Sequence, residues 1–271
     1  MSTDPAVLVA GRGWRDRRRT RWWWVFGLGL YSIMLLGVWP TVEGNDQFSE
    51  LAEDYPEALM ALFGGKEAFA SITSPEGFTN TYYFSFMLPL LLMTFAATAA
   101  GSLLAGEDEG GQLELVLSQP VSRARVILAK AAVVVAGLLV LVSSVVIVLL
   151  VGGPMVGLHL GVGGLLAVAL GSLLFGALHG AIAFAVGAAT GRRGAAVGGA
   201  VVIGVAGYMI SGFAEVSSWM EPVRYVLPMY HAKAADPLTN GIPVANYLLL
   251  FGVTALVQAG AVVLFKRHDL R

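Results

Sequence analysis

From Ala131 to Thr190 the chain runs for sixty residues without an Asp, Glu, Lys or Arg. A helix needs about 20 apolar residues to cross the hydrocarbon core of a bilayer, so this run is too long for one span and long enough for two. Gly152-Gly153-Pro154 supplies the break, because proline cannot continue a helix through its missing N–H. The run therefore divides into two neighbouring spans, 126–151 and 161–190. The same length test finds four more, 22–40, 79–105, 194–215 and 242–265. The expected fold class is an all-α membrane protein of six transmembrane helices in one domain, 1–271. Composition agrees. Charged residues are 13% of the chain against roughly 25% in soluble domains, and mean hydropathy is +0.73. The 34 glycines suit a bundle in which small residues let backbones approach. Gly176-x3-Gly180, Gly187-x3-Gly191 and Gly194-x3-Gly198 are expected to pack helices within the chain. The absence of cysteine excludes disulfides, thiol catalysis and cysteine-ligated metal. A net charge of −1 argues against a nucleic-acid partner.

Basic residues set the orientation, since short loops rich in Lys and Arg stay in the cytoplasm. With both termini inside, that side receives Arg12, Arg15, Arg17, Arg18, Arg19, Arg21, Arg123, Arg125, Lys130, Arg192, Arg193, Lys266, Arg267 and Arg271. Only Lys66, Arg224 and Lys233 face out. The basic N-terminus leads into a full-length span and lacks a small-residue cleavage site, so it is not expected to be a cleaved signal peptide. Residues 1–21 form a cytoplasmic or interfacial stretch. Within Arg12–Trp24, tryptophans interleaved with arginines read as an interfacial helix held at headgroup level.

The outer loop 41–78 carries Glu43, Asp46, Glu50, Glu53, Asp54, Glu57, Glu67 and Glu76 against Lys66 alone. Leu51, Tyr55, Ala58, Leu59, Leu62 and Phe63 repeat at helical spacing. Pro56 breaks that helix or starts a second one. The segment is a cap on the membrane surface or a gate over a pore; its acids lack the spacing of an EF-hand. A second outer loop spans 216–241.

Function turns on residues 106–125, between the second and third spans. Gly110-Gly111 permits a sharp turn, and Pro120 ends the stretch after it. Between them a short helix carries Leu113, Val116 and Leu117 along one side with Leu115 beside them. Acids precede it and basic residues come after it, as suits the helix dipole. Four aliphatics among charges need cover, from a groove on a partner protein or from lipid.

The run from Glu107 to Lys130, EDEGGQLELVLSQPVSRARVILAK, closely resembles the signature of ABC-2-type permeases. That signature has an acidic pair, a Gly-x-Leu-Glu-Leu core and a Pro-Val-Ser-Arg ending before a Lys. Gln112 departs from it, since the family more often has Thr there. The six spans, the acidic outer loop and the basic N-terminus fit the same family. The resemblance implies that 106–125 is a coupling helix docking on a separate cytoplasmic ABC ATPase. Leu113, Leu115, Val116, Leu117 and Pro120 would belong to that joint, with Glu107, Asp108, Glu109, Glu114 and Arg123 at its rim. It further implies a second permease chain, identical or related, and ATP and Mg held by the partner ATPase. No cofactor or metal is expected in this chain. The chain has no Gly-x4-Gly-Lys-Ser/Thr phosphate loop, and Gly64-Gly65-Lys66 lacks the first glycine and the hydroxyl. The N-terminal stretch would also touch the ATPase.

Other classes fit less well. A proton- or sodium-driven carrier needs a titratable or coordinating group inside the membrane, and only His179 stands near mid-span. A lone membrane histidine is expected to hydrogen-bond across helices. A membrane enzyme would need a nucleophile with a base, paired aspartates or a metal motif such as His-Glu-x-x-His, and none is present. Phe84, Phe86, Phe95, Phe175, His179 and Phe184 are candidate pathway residues. An apolar path suits a drug, antibiotic or lipid-like cargo, which the resemblance would have exported. Usage rich in Ala, Gly, Val and Arg hints at a bacterial source, placing the chain in the plasma membrane.

Overall fold

The computed structural model describes residues 5–45, 56, 60, 71–214 and 221–267. Among them there is no strand, and six helical segments are long and apolar enough to span a bilayer. α1 (Pro5–Asp16) precedes the first span, α2 (Arg18–Val42). The second span is composite. α3 (Pro75–Thr79) opens it, Asn80–Met87 is π-helical, and α4 (Leu88–Leu103) and α5 (Ala105–Glu109) complete it. α6 (Gln112–Leu117) leads to α7 (Arg123–Gly152), the third span. After a 3-10 turn at Pro154–Val156, α8 (Val162–Thr190) and α9 (Arg193–Phe213) are the fourth and fifth spans. Three short helices, α10 (Glu221–Arg224), α11 (Pro228–Lys233) and α12 (Pro237–Asn240), lead to the sixth, α13 (Val244–Arg267).

Local chemistry explains several boundaries. Ser74 caps α3 by accepting the Gly77 N–H, with Pro75 at the first position. Ser122 caps α7 by accepting the Arg125 N–H. Gly191 closes α8 at φ +61, a left-handed conformation that glycine adopts without cost. The π-helical stretch ends where Leu88 N–H reaches back five residues to the Tyr83 carbonyl. Pro89 comes next, and it has no N–H to offer the Ser85 carbonyl. The stretch is tied to α2 by side chains. Tyr31 donates to the Tyr82 carbonyl at 2.9 Å, and the Tyr83 hydroxyl meets Ser32 Oγ at 2.8 Å.

The Arg12–Trp24 stretch is not a single interfacial helix. The backbone turns at Arg17 (φ −96, ψ 9), so the arginines are shared between α1, which packs on α7, and the start of α2. The amphipathic pattern from Leu51 to Phe63 lies outside the described residues, except for Pro56 and Met60.

α8 is the hub of the bundle and touches α4, α7, α9 and α13 as well as α11 and α12. Its small residues make this crowding feasible. Gly176 faces Leu92 and Leu138, Gly180 faces Val134 and Ala96, and Gly187 faces Ala105 and Ala196. Gly194 and Gly198 behave differently: no atom of the described residues lies near an added Cβ, so among these residues the third glycine motif packs no helices together.

One close joint of α8 is at Gly171. The Tyr247 hydroxyl donates to the Ala167 and Ala232 carbonyls at 2.9 and 3.4 Å, tying α13 to α8 and α11. A Cβ on Gly171 would lie 2.6 Å from the Ala232 oxygen and nearer still to that hydroxyl. Gly171→Ala is expected to cost about 1–3 kcal/mol through overpacking, read as a lowered heat-unfolding midpoint of the purified chain. Gly198→Ala, in open space within α9, should not lower the midpoint.

Candidate functional site

The segment between the second and third spans is fastened to the bundle at three points. Lys130 lies on the first turns of α7 and is almost wholly buried. Its ammonium donates to the Leu103 carbonyl at the end of α4 and to the Glu107 carboxylate on α5. A buried charge persists only when paired and hydrogen-bonded, and Lys130 has both. The Glu109 Oε1 accepts the backbone N–H of Arg193 at 2.9 Å, at the N-terminus of α9 where a negative charge is favoured. Arg123 donates to the Phe265 carbonyl at 3.1 Å near the C-terminus of α13, and its guanidinium lies over the Phe265 ring. Asp108 is buried beneath this framework.

Between the anchors the chain turns at Gly111, whose φ of +67 would strain most other residue types, and forms α6. Its apolar side divides. Leu113 is buried in the chain's own core, and Val116 and Leu117 are half-buried against it. Leu115 stands out at 69% exposure, with Glu114, Gln119 and Pro120 also exposed. The four aliphatics therefore do not form one outward face. Leu113 is covered from within, and Leu115 is the one left uncovered. Beside it a groove of about 400 Å³ separates α6 from α1. Leu8, Val9, Arg12, Leu115, Val116 and Pro120 are among its walls, with Lys130 and Glu107 at its base. Nearby, burial holds the Arg17 guanidinium below its ordinary value, and the charge of Arg193 adds to the effect.

The aromatic candidates are divided between two packed clusters. Phe84, Phe95 and Phe184 belong to the main core, whereas Phe175 packs in a second cluster with Met93 and Tyr208, which Phe86 borders. Phe95 meets Trp24 edge-on at 5.8 Å, and Phe84 meets Tyr83 at 5.4 Å. His179 bonds within its own helix rather than across helices. Its Nδ1 is 2.8 Å from the Phe175 carbonyl, and its ring rests against Gly204 of α9. No cluster of three or more His, Asp or Glu that could hold a metal occurs among the described residues.

Two features escape sequence reasoning. The Glu107–Lys130 pair joins groups 23 positions apart, at no helical spacing. The Glu109 contact is made to a backbone N–H, which no side-chain pattern announces.

The family described as ABC-2 family transporter protein matches residues 7–270 of the chain. No curated protein matches it.

The Lys130 pair should respond asymmetrically to substitution. The Lys130 side chain is 3% exposed and that of Glu107 24%, so loss of the acid strands the more deeply buried charge. Glu107→Gln is expected to cost about 3 kcal/mol. Lys130→Met, which leaves a carboxylate that water reaches, should cost clearly less. Unfolding of the two purified variants by heat or by titrated SDS would rank them.

Proposed function

The chain belongs to the ABC-2 transporter family, and from that premise we propose that it is the membrane permease subunit of an ATP-driven exporter. The ATPase is a separate cytoplasmic subunit that binds ATP and Mg, and a second permease chain completes the transporter. The arginine-rich end of the bundle faces the cytoplasm of a bacterial cell, in keeping with the distribution of Lys and Arg. The cargo is hydrophobic or amphipathic, in keeping with spans whose surfaces are aliphatic and aromatic. Phe84, Phe95, Phe175, Phe184 and His179 meet it only when their helices part.

One observation supports this reading above the others. α6 presents Leu115 to the outside while its flanks are bonded to α4, α7, α9 and α13. An exposed aliphatic on a helix held this firmly is placed to serve as an anchor for a partner. Seated in a pocket of an ATPase, it would transmit a push through Glu107–Lys130 to α7, through Glu109 to α9, and through Arg123 to α13. Glu107, Asp108, Glu109 and Arg123 thus act by fixing the lever, and Glu114 and Pro120 remain for the partner.

Leu115→Asp tests the proposal. An anchor in a desolvated pocket contributes about 2 kcal/mol or more, so its loss should weaken ATPase recovery about thirtyfold. Transport by vesicles carrying both subunits should fall with it, while the unfolding midpoint stays put because Leu115 is exposed. Transport at wild-type rate in this variant would overturn the docking reading. Recovery of the wild-type chain from its host with no ATPase would overturn the exporter reading.

A further inference from the structure

The N-terminal end of the first span carries an outward stripe that neither the fold nor the coupling segment uses. Arg15, Arg18, Arg19, Trp22, Trp23 and Phe26 line a surface groove of about 770 Å³ together with Asp16. Trp22, Trp23 and Phe26 are each more than half exposed. Asp16 is engaged by Arg12 at 3.5 Å, and Arg15 spends its Nε on the Gly11 carbonyl at 3.3 Å. Arg18 and Arg19 have no ion-pair partner among the described residues. The opposite side of the same helix is fully committed. Arg21 lies on the Trp14 ring at 3.4 Å and donates to the Trp14 carbonyl, while Trp24 packs edge-on against Phe95.

The order of the groups along the axis identifies the occupant. On α2 two guanidiniums come first, with Arg15 of α1 beside them, then two indoles, then a phenyl ring. Leu30 and Ile33, also exposed, extend the track. From Arg18 to Phe26 the helix rises about 12 Å, so charge gives way to hydrocarbon over the depth of a headgroup region. A phospholipid changes in the same order, from phosphate through glycerol ester to acyl chain. Indoles favour that level of the bilayer, and guanidinium forks match phosphate oxygens. A second copy of the chain fits poorly. A two-fold contact through this stripe would set its arginines against the same arginines of its mate.

We propose that this face is a binding site for one anionic phospholipid, with its phosphate on Arg15, Arg18 and Arg19 and its acyl chains along Trp22, Trp23 and Phe26. The site is distinct from the groove between α1 and α6, and it does not require the ATPase reading.

Native mass spectrometry of the intact, delipidated chain in mild detergent tests it, with phosphatidylglycerol, phosphatidylcholine and glycerol 1-phosphate as probes. One phosphatidylglycerol should be retained, at least tenfold more tightly than phosphatidylcholine, and glycerol 1-phosphate should not displace it. Each cation near an anionic headgroup contributes about 1 kcal/mol, so Arg18→Gln with Arg19→Gln should weaken retention about thirtyfold. Trp22→Ala with Phe26→Ala should also weaken it. Lys266→Gln with Arg267→Gln removes the same charge from the same end of the bundle and should change nothing. Equal binding of the two lipids, or equal loss in the Lys266/Arg267 control, would overturn the proposal in favour of diffuse attraction. Displacement by glycerol 1-phosphate would overturn it in favour of a soluble anion. A dimer that either stripe variant dissociates would assign the face to a second chain.

Discussion

The arginine-rich end of the bundle depends on one buried ammonium. Lys130 sits on the first turns of the third span, closed off by α4, α5 and α7. An unpaired charge there would cost several kcal/mol, so Glu107 must come to it. The Leu103 carbonyl, freed as α4 ends, supplies a further acceptor. Satisfying one cation thereby fixes where the second span stops, how α5 turns, and at what angle α6 leaves the bundle. The Glu109 and Arg123 contacts complete that placement by using the ends of α9 and α13, where unpaired backbone groups are available. Polar chemistry concentrates where helices end, because there backbone N–H and C=O groups lack an intrahelical partner.

Within the spans a different constraint governs. Lipid provides no hydrophobic drive between helices, so contact comes from close packing. α8 accordingly places Gly171, Gly176, Gly180 and Gly187 against its neighbours. The few polar side chains here bond chiefly to carbonyls. Tyr247 reaches across helices to do so, whereas His179, Ser172, Thr94 and Thr98 turn back onto their own helix.

Much of this was legible in the residues, and the remainder was hidden for physical reasons. A sixty-residue stretch without charge leaves no choice but two spans, and Gly152-Gly153-Pro154 marks their boundary as it stands in the structure. The segment 112–117 was legible as a helix with Leu113, Val116 and Leu117 on one side. Which side faces inward was not, because periodicity defines a stripe and not what covers it. The turn at Arg17 was missed, since arginine has no breaking signature. Gly194 and Gly198 show the limit of motif reading. Their spacing equals that of Gly176 and Gly180, yet only the latter pair meets neighbouring helices among the described residues. The π-helical stretch left a faint trace in Asn80 and Ser85, five apart and hydrogen-bonded at 3.1 Å.

The division of labour within α6 bears on how a helix of six residues could matter to a protein of six spans. So short a helix has no stability of its own, because nucleation costs more than its few bonds return. Its shape is therefore borrowed from Leu113 below and from the three anchors on either side. A borrowed shape is a rigid one, since displacing α6 means breaking the buried Lys130 pair or dragging α7 along. Leu115 then stands at the end of a short, stiff arm rather than on a loop that would absorb a push. A partner gripping Leu115, as proposed, would have purchase on the third span through Lys130, whereas a softer connection at the same place would dissipate that motion before it reached the membrane.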